Sequence, residues 1–356
     1  MNTPRRDPLA VASLAEIQPD PELLFTAFAA ILSITEGRTR AGKPFFDLRL
    51  GDRSRTLAAK IWDEAGEAMR IAAELRAGDA CKVLARCELY QGAPQLNIRR
   101  LRRVDEDETG YAPEAVYGEG HALIRDRLCR TLVFDIETAP AFARDALPPA
   151  VADAVDRFSA RDGGDDSLVM SLSPMLGRVV SLAFADGEVD PEQQDVTVLA
   201  VPPPNHPDQE TPPWLRLMEE AELLRAFWGL CAHADVVVSY NGRGFDVPFL
   251  IGRSLVHGVA CRVDLMGSPY SLRPHLDLYR VITGGGRAPG PTGLDVVCWS
   301  LGIPSPKGSM DGSKVADAYA AGEILAIAEY NRGDIRATTA VYQRIRDQIL
   351  QFRQEW

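Results

Sequence analysis

Apolar and polar residues alternate with a period of two through the first third of the chain, and the period becomes mixed beyond it. Runs of this kind, bounded by turn residues, predict strands over Leu24–Ile34, Phe45–Leu50, Thr56–Trp62, Lys82–Tyr90 and Pro94–Leu101. A helix-period segment, Glu64–Leu75, lies between the third and fourth. Turn signals punctuate the series: Gly42 with Lys43 and Pro44, Gly51 with Asp52, Gly78 with Asp79, and Gly92.

The order βββαββ at this length is the order of an OB-fold, an all-β barrel. Alternation also sorts the faces. In the second strand Phe46, Leu48 and Leu50 point one way, and Phe45, Asp47 and Arg49 the other. In the third, Leu57, Ala59 and Ile61 point inward while Lys60 and Trp62 point outward. Aromatic faces stack bases and basic side chains neutralise phosphates. Phe45, Arg49, Lys60 and Trp62 are therefore candidate nucleic-acid contacts, with Arg99 from the cluster Arg99, Arg100, Arg102 and Arg103. The alternative for Trp62 is a core tryptophan. The stretch GKPFFDLRLGDRSRTLAAKIWD, followed by CELYQGAPQLNIRRL, resembles the OB domain attached to certain bacterial 3′–5′ exoribonucleases over about residues 25–103.

Residues 105–128 begin DEDETG and carry Gly110, Pro113, Gly118 and Gly120, which reads as a linker with a short helix near Ala122–Leu128. From residue 130 strands and helices interleave. Strands are expected at Thr131–Ile136, Arg178–Ala185, Asp195–Val201, Asp235–Asn241 and Leu276–Val281. Helices are expected at Leu217–Ala232, Phe245–His257, Leu294–Leu301, Lys314–Ala321 and Glu323–Gln351. This mixture predicts an α/β three-layer domain. Stretches 140–176 and 202–214 are rich in Pro, Gly, Asp and Ser and read as loops or insertions. The expected organisation is an N-terminal segment 1–23, an OB-fold over 24–104, a linker over 105–128 and an α/β domain over 129–356.

Charge sharpens the division. The chain of 356 residues has a net charge of −11, made of +4 over residues 1–104 and −15 over residues 105–356. A basic part suits phosphates and an acidic part suits divalent cations. No run of about 18 apolar residues exists, which excludes a membrane span. The N-terminus lacks the apolar stretch of a secretory signal. Six scattered cysteines, without a CxxC pair, read as buried free thiols of a cytoplasmic protein. The five histidines are dispersed, none at metal-ligand spacing. Gly284, Gly285 and Gly286 lack the strand–turn–helix setting of a phosphate-binding loop.

Three short motifs carry the chemistry. Phe134-Asp135-Ile136-Glu137-Thr138 ends an apolar strand, and its two carboxylates, two residues apart, share one face. Two like charges on one face repel unless a cation lies between them. Ser239-Tyr240-Asn241-Gly242-Arg243-Gly244-Phe245-Asp246 turns tightly into a helix and puts Asp246 near its N-terminus, where a carboxylate also serves as an ordinary first-turn residue. Tyr330-Asn331-Arg332-Gly333-Asp334 places Tyr330 and Asp334 one turn apart on one helix face.

In this order, over about residues 130–350, the motifs resemble the DEDD exonuclease superfamily in its tyrosine subtype (DEDDy), an RNase H-like fold. The histidine subtype would need histidine where Glu329 stands. The stretches HLDLYRVI, TGLDVVCWSLGIP and KGSMDGSKV resemble bacterial exonucleases related to the proofreading domain of family-B DNA polymerases. The resemblance implies a 3′–5′ exonuclease in which Asp135, Glu137, Asp246 and Asp334 hold two Mg²⁺ or Mn²⁺ ions. It implies that Tyr330 orients the attacking water. It implies that Phe134 and Ile136 pack near the terminal nucleotide, with Thr138 and Phe245 as further contacts. Asn241 helps place the substrate or simply forms the turn. The loop Lys307–Lys314 contacts phosphates through backbone amides or is a plain connection. His275 and Asp277 read as supporting residues. The expected partner is single-stranded nucleic acid, DNA favoured over RNA. A 3′–5′ exoribonuclease is the alternative. A non-catalytic single-strand-binding scaffold would predict a missing carboxylate, and none is missing.

Overall fold

The computed structural model describes residues 7–105, 107–162, 165–203, 206, 210–268, 271–285, 290–304, 310–353 and 356. The chain forms two compact units, Met1–Arg130 with Trp228–Asp235, and Thr131–Phe227 with Val236–Trp356.

The first unit is built on strands β1 (Leu9–Ala10), β2 (Asp20–Arg38), β3 (Pro44–Gly51), β4 (Thr56–Trp62), β5 (Ala80–Tyr90) and β6 (Ala93–Arg103). A short 3-10 turn and helix α1 (Gly66–Ala72) separate β4 from β5. The sheet order is β1-β2-β3-β4-β6-β5, and β2 also pairs with β5, so the pairings from β2 run round and return to it. Inward residues form one core that includes Phe25, Ile31, Leu48, Ile61, Val83 and Ile98. The alternation read from β3 and β4 is the alternation observed: Phe46, Leu48, Leu50, Leu57, Ala59 and Ile61 are buried. Helices α2 (Pro113–Tyr117) and α3 (His121–Ile124) follow.

The second unit is a mixed six-stranded sheet of β7 (Thr131–Pro140), β8 (Gly177–Asp186), β9 (Thr197–Ala200), β10 (Leu215–Leu217), β11 (Val236–Ser239) and β12 (His275–Asp277). Their order is β10-β9-β8-β7-β11-β12. β7 runs antiparallel to β8 and parallel to β11, so it is central. Eight of its ten residues are buried, all but Asp135 and Pro140, and these include the polar Thr131, Glu137 and Thr138. Helices α4 (Pro149–Asp162), α5 (Asp166–Leu172), α6 (Glu220–His233), α7 (Asp246–His257), α8 (Leu278–Thr283), α9 (Leu294–Leu301), α10 (Val315–Ala320) and α11 (Ile324–Gln348) complete the chain. The buried stripe of α11 recurs at helical spacing through Ile324, Ile327, Ala328, Asn331, Ile335, Val341 and Ile345.

Three expectations are corrected here. Residues 140–176 hold two helices rather than loops: Asp165 caps α5 by accepting the Leu168 N–H at 2.7 Å, and Arg144 ties α4 to α5 through Asp156 and Asp166. The strand expected over Leu276–Val281 stops at Asp277, whose carboxylate accepts the Tyr279 N–H and starts α8. The helix expected from Leu217 starts at Glu220, because Leu215–Leu217 pairs parallel with β9.

Candidate metal centre

Asp135 and Glu137 leave the same face of β7, as extended backbone requires. Asp334 reaches them from α11, and ligand oxygens of Asp135, Glu137 and Asp334 all lie within 4.8 Å of one another. Asp246, the first residue of α7, stands just outside that trio and accepts the Ile136 N–H at 3.3 Å. Glu137, Asp246 and Asp334 are buried and Asp135 is half-buried.

Their charges collide. Burial, then the charges of Asp246, Asp334 and Glu137, hold the Asp135 carboxyl well above its usual range. Burial, then Asp334 and Asp246, do the same to Glu137. Burial pushes Asp246 up to about 7, against the pull of backbone N–H groups at Asp246 and Ile136. The Tyr330 phenol is raised above its ordinary range by burial, then by Asp334, Glu137 and Asp135, and it hydrogen-bonds Asp334. Converging oxygen donors with unbalanced negative charge are the donor set of a hard divalent cation. The residues present fit such an ion.

The loop before α7 is locked from below. Asn241 adopts φ +60, a left-handed conformation that asparagine tolerates. Asp277 accepts the N–H of Asn241 at 2.9 Å and of Arg243 at 3.1 Å. A Cβ on Gly242 would lie 2.2 Å from the Ser239 hydroxyl, and one on Gly244 would lie 2.5 Å from the Asn241 amide oxygen. Neither position admits a side chain without movement. His275 braces the same corner: its Nδ1–H donates to the Leu265 carbonyl at 3.1 Å and its Nε2 takes the Ser239 hydroxyl at 2.7 Å. Burial drives its pKa down to about 3, so the ring is neutral. On α11 a second buried pair, Asn331 to Ser181 at 3.2 Å, joins the helix to β8, where Ser181 lies opposite Glu137.

The site residues expected from the sequence divide. Asp135, Glu137, Asp246, Tyr330 and Asp334 come together. Phe134 does not join them. Its side chain is fully buried against Phe227 and His275, because odd and even positions of β7 face opposite layers and both layers are filled. Ile136 and Thr138 are buried as well, and the Ile136 N–H is already taken by Asp246. The expected contact between the Phe134 side chain and a nucleotide is therefore corrected. Asn241 is exposed and Phe245 half-buried, beside Phe249. The roles of Arg243, Asn331 and Ser181 escaped the sequence reading. Asp277 carried a clue in the polar residue that stops an apolar strand. Residues 307–309 of the Lys307–Lys314 loop lie outside the described residues; Asp311 caps the short 3-10 turn Gly312–Lys314.

In the first unit, Phe45 and Trp62 pack at 5.5 Å between ring centroids on the outward face of β3 and β4. Lys60 lies over the Phe45 ring at 4.5 Å and the Trp62 ring at 5.7 Å. Trp62 is thus outside the core. The Lys60 ammonium also pairs with Asp47 at 2.9 Å, which tempers its expected availability to phosphate. Arg49 and Arg99 are exposed.

The model of a family described as "Predicted 3'-5' exonuclease related to the exonuclease domain of PolB" matches residues 172–355. That stretch includes Asp246, Tyr330 and Asp334 and begins after Asp135 and Glu137. Among solved structures, the chain is similar to a family B DNA polymerase from the hyperthermophilic archaeon Pyrobaculum calidifontis, at 18% identity and a TM-score of 0.40. The likeness covers 90% of this chain and 46% of the polymerase, so the chain spans less than half of that protein. It is also similar to the second OB-fold domain of replication protein A from Methanococcus maripaludis, at 16% identity and a TM-score of 0.23, over 28% of this chain and 99% of that one. The single-stranded DNA binding protein from Thermus aquaticus matches at 21% identity and a TM-score of 0.21, over 26% of this chain and 44% of that one.

Proposed function

Since the chain belongs to the family of predicted 3′–5′ exonucleases related to the exonuclease domain of PolB, we propose that it removes nucleotides from the 3′ end of single-stranded nucleic acid, DNA before RNA. The observation that carries the reading is the convergence of Asp135, Glu137 and Asp334, with Asp246 beside them, on one half-buried spot.

Asp135, Glu137, Asp246 and Asp334 would hold two Mg²⁺ or Mn²⁺ ions. Such ions, when bound, lower the pKa of water and offset the charge that grows on a leaving 3′ oxygen. The chain's own residues do the rest. A tyrosine ordinarily keeps its proton at neutral pH, its free pKa being about 10, and burial, the largest influence here, raises the Tyr330 phenol further. It therefore positions the attacking water by hydrogen bonding rather than taking a proton from it. Asn241, exposed at the turn before α7, would meet the terminal nucleotide with Phe245. We read the first unit as an OB-fold that holds the strand on Phe45, Trp62, Lys60, Arg49 and Arg99. Ring stacking there accepts any base, and the exposed arginines follow the phosphates.

The test uses end-labelled single-stranded DNA and RNA with Mg²⁺, Mn²⁺ or EDTA, beside an Asp135→Ala, Asp334→Ala double variant. The expected result is a ladder shortening from the 3′ end, lost in EDTA and in the variant. Absence of cleavage on both strands with both metals overturns the reading.

A further inference from the structure

Three arginines line a cavity of about 180 Å³ in the second unit, one of them from the Asn241–Gly244 loop. Arg243 comes from that loop, Arg280 from α8 and Arg353 from the segment after α11. Leu272, Leu276 and Val281 supply apolar wall.

The charge in this cavity does not balance. Asp277 is the one carboxylate among the described residues of its lining. Asp277 has already spent its oxygens on the N–H groups of Asn241, Arg243 and Tyr279. Its contact with Arg280 is loose, 3.9 Å. Arg243 is 5% exposed, and its guanidinium donates to the carbonyls of Met266, Gly267 and His275, with no carboxylate partner among the described residues. Burial and the Arg280 charge lower its pKa, and the carboxylates of Asp277 and Asp264 offset this only in part. Arg353 is exposed and makes no ion pair among the described residues. Buried cations require an anion.

Size and shape narrow the anion. The volume is below the range of about 300–1,000 Å³ that whole small-molecule ligands occupy. It suits a single tetrahedral group, and guanidinium forks match phosphate oxygens in pairs. We propose that this pocket binds one phosphate group of the nucleic-acid strand and so holds the strand beside the loop that carries Asn241 and leads to Asp246. The proposal rests on the exonuclease reading for its choice of strand; free phosphate offers the same chemistry.

Two arms separate the sources. In the first, melting is followed in EDTA with inorganic phosphate against chloride at equal ionic strength. The wild-type protein should gain about 2–4 °C, and Arg280→Ala and Arg353→Ala should lose most of that gain. Arg353 is exposed, so its variant keeps the test valid if Arg280→Ala folds poorly. In the second, single methylphosphonate linkages are walked along a DNA oligonucleotide, and binding is measured with the uncleaving Asp135→Asn protein. One linkage should weaken binding about tenfold, the worth of one charge-assisted contact, and should cost nothing further in the Arg353→Ala background. A phosphate response without any coupled linkage overturns the strand assignment in favour of free phosphate. No response in either arm overturns the pocket. Because both arms read binding, a protein that binds but never cleaves defeats the exonuclease reading and leaves this one standing.

Discussion

Asp135, Glu137 and Asp246 are held in the folded chain with raised carboxyl pKa values, so the folded state binds more protons than the unfolded one. Stability from this cluster is then present at low pH and lost as pH climbs from the ordinary carboxylate range of about 4 through the Asp246 value of about 7. Metal-free protein should melt lower at pH 8 than at pH 5, and Asp135→Asn should flatten that fall. Mn²⁺ at pH 8 should restore the wild type and leave the variant unmoved; parallel melting of the two proteins would sink the idea. Tyr330→Phe should lower kcat by about 10- to 100-fold with metal affinity intact. A rate that rises between pH 7 and 9 in wild type and not in Tyr330→Phe would instead make the phenol a base. The carboxylates were legible because the three motifs, in their order, resemble a known exonuclease family, while spacing alone put Asp135 with Glu137 on one face. Phe134 was misread for want of packing information. Spacing says which residues share a face, but not that the opposite face of a central strand is packed shut. The partners of Asn331 and Asp277 are long-range, and local pattern carries no trace of them.

At the scale of elements, the positions of β11, α7 and β12 depend on close approach at Gly242. Gly242→Ala should destabilise by about 1–3 kcal/mol and reduce exonuclease activity more than melting alone explains, since it displaces the turn ahead of Asp246; melting curves and initial rates together check this. A buried ion pair fixes α6 to α7. Glu220 accepts two bonds from Arg253 at 2.8 Å each and one from the Val179 N–H at 2.9 Å. Burial raises its pKa, and these partners more than reverse the effect. Arg253→Met leaves that buried carboxylate only the Val179 N–H and His257 as partners, and should cost about 3–5 kcal/mol, read by urea denaturation. Elements with strong alternation, β3 and β4 above all, were legible nearly to the residue. α4 and α5 were not, because Arg144, Asp156 and Asp166 hold them together through cross-element contacts in a composition that suggests loops.

For the whole molecule, the division of charge between residues 1–104 and 105–356 is the one the proposed division of labour, gripping a strand and cutting it, calls for. Phe45→Ala and Trp62→Ala should each weaken single-strand binding by about 1–3 kcal/mol, seen by fluorescence anisotropy, with kcat at saturating strand unchanged. A loss of kcat instead would mean that these rings act at the cutting step. No helix among the described residues is long and apolar enough to cross a membrane. The second unit opens with β7 and ends with α11, and the carboxylate trio takes members from both. A ribosome therefore lays down Asp135 and Glu137 early and delivers Tyr330 and Asp334 late. Until α11 has left the exit tunnel, the nascent polypeptide holds only part of that carboxylate cluster. The cluster therefore closes only once both ends of the second unit have been made.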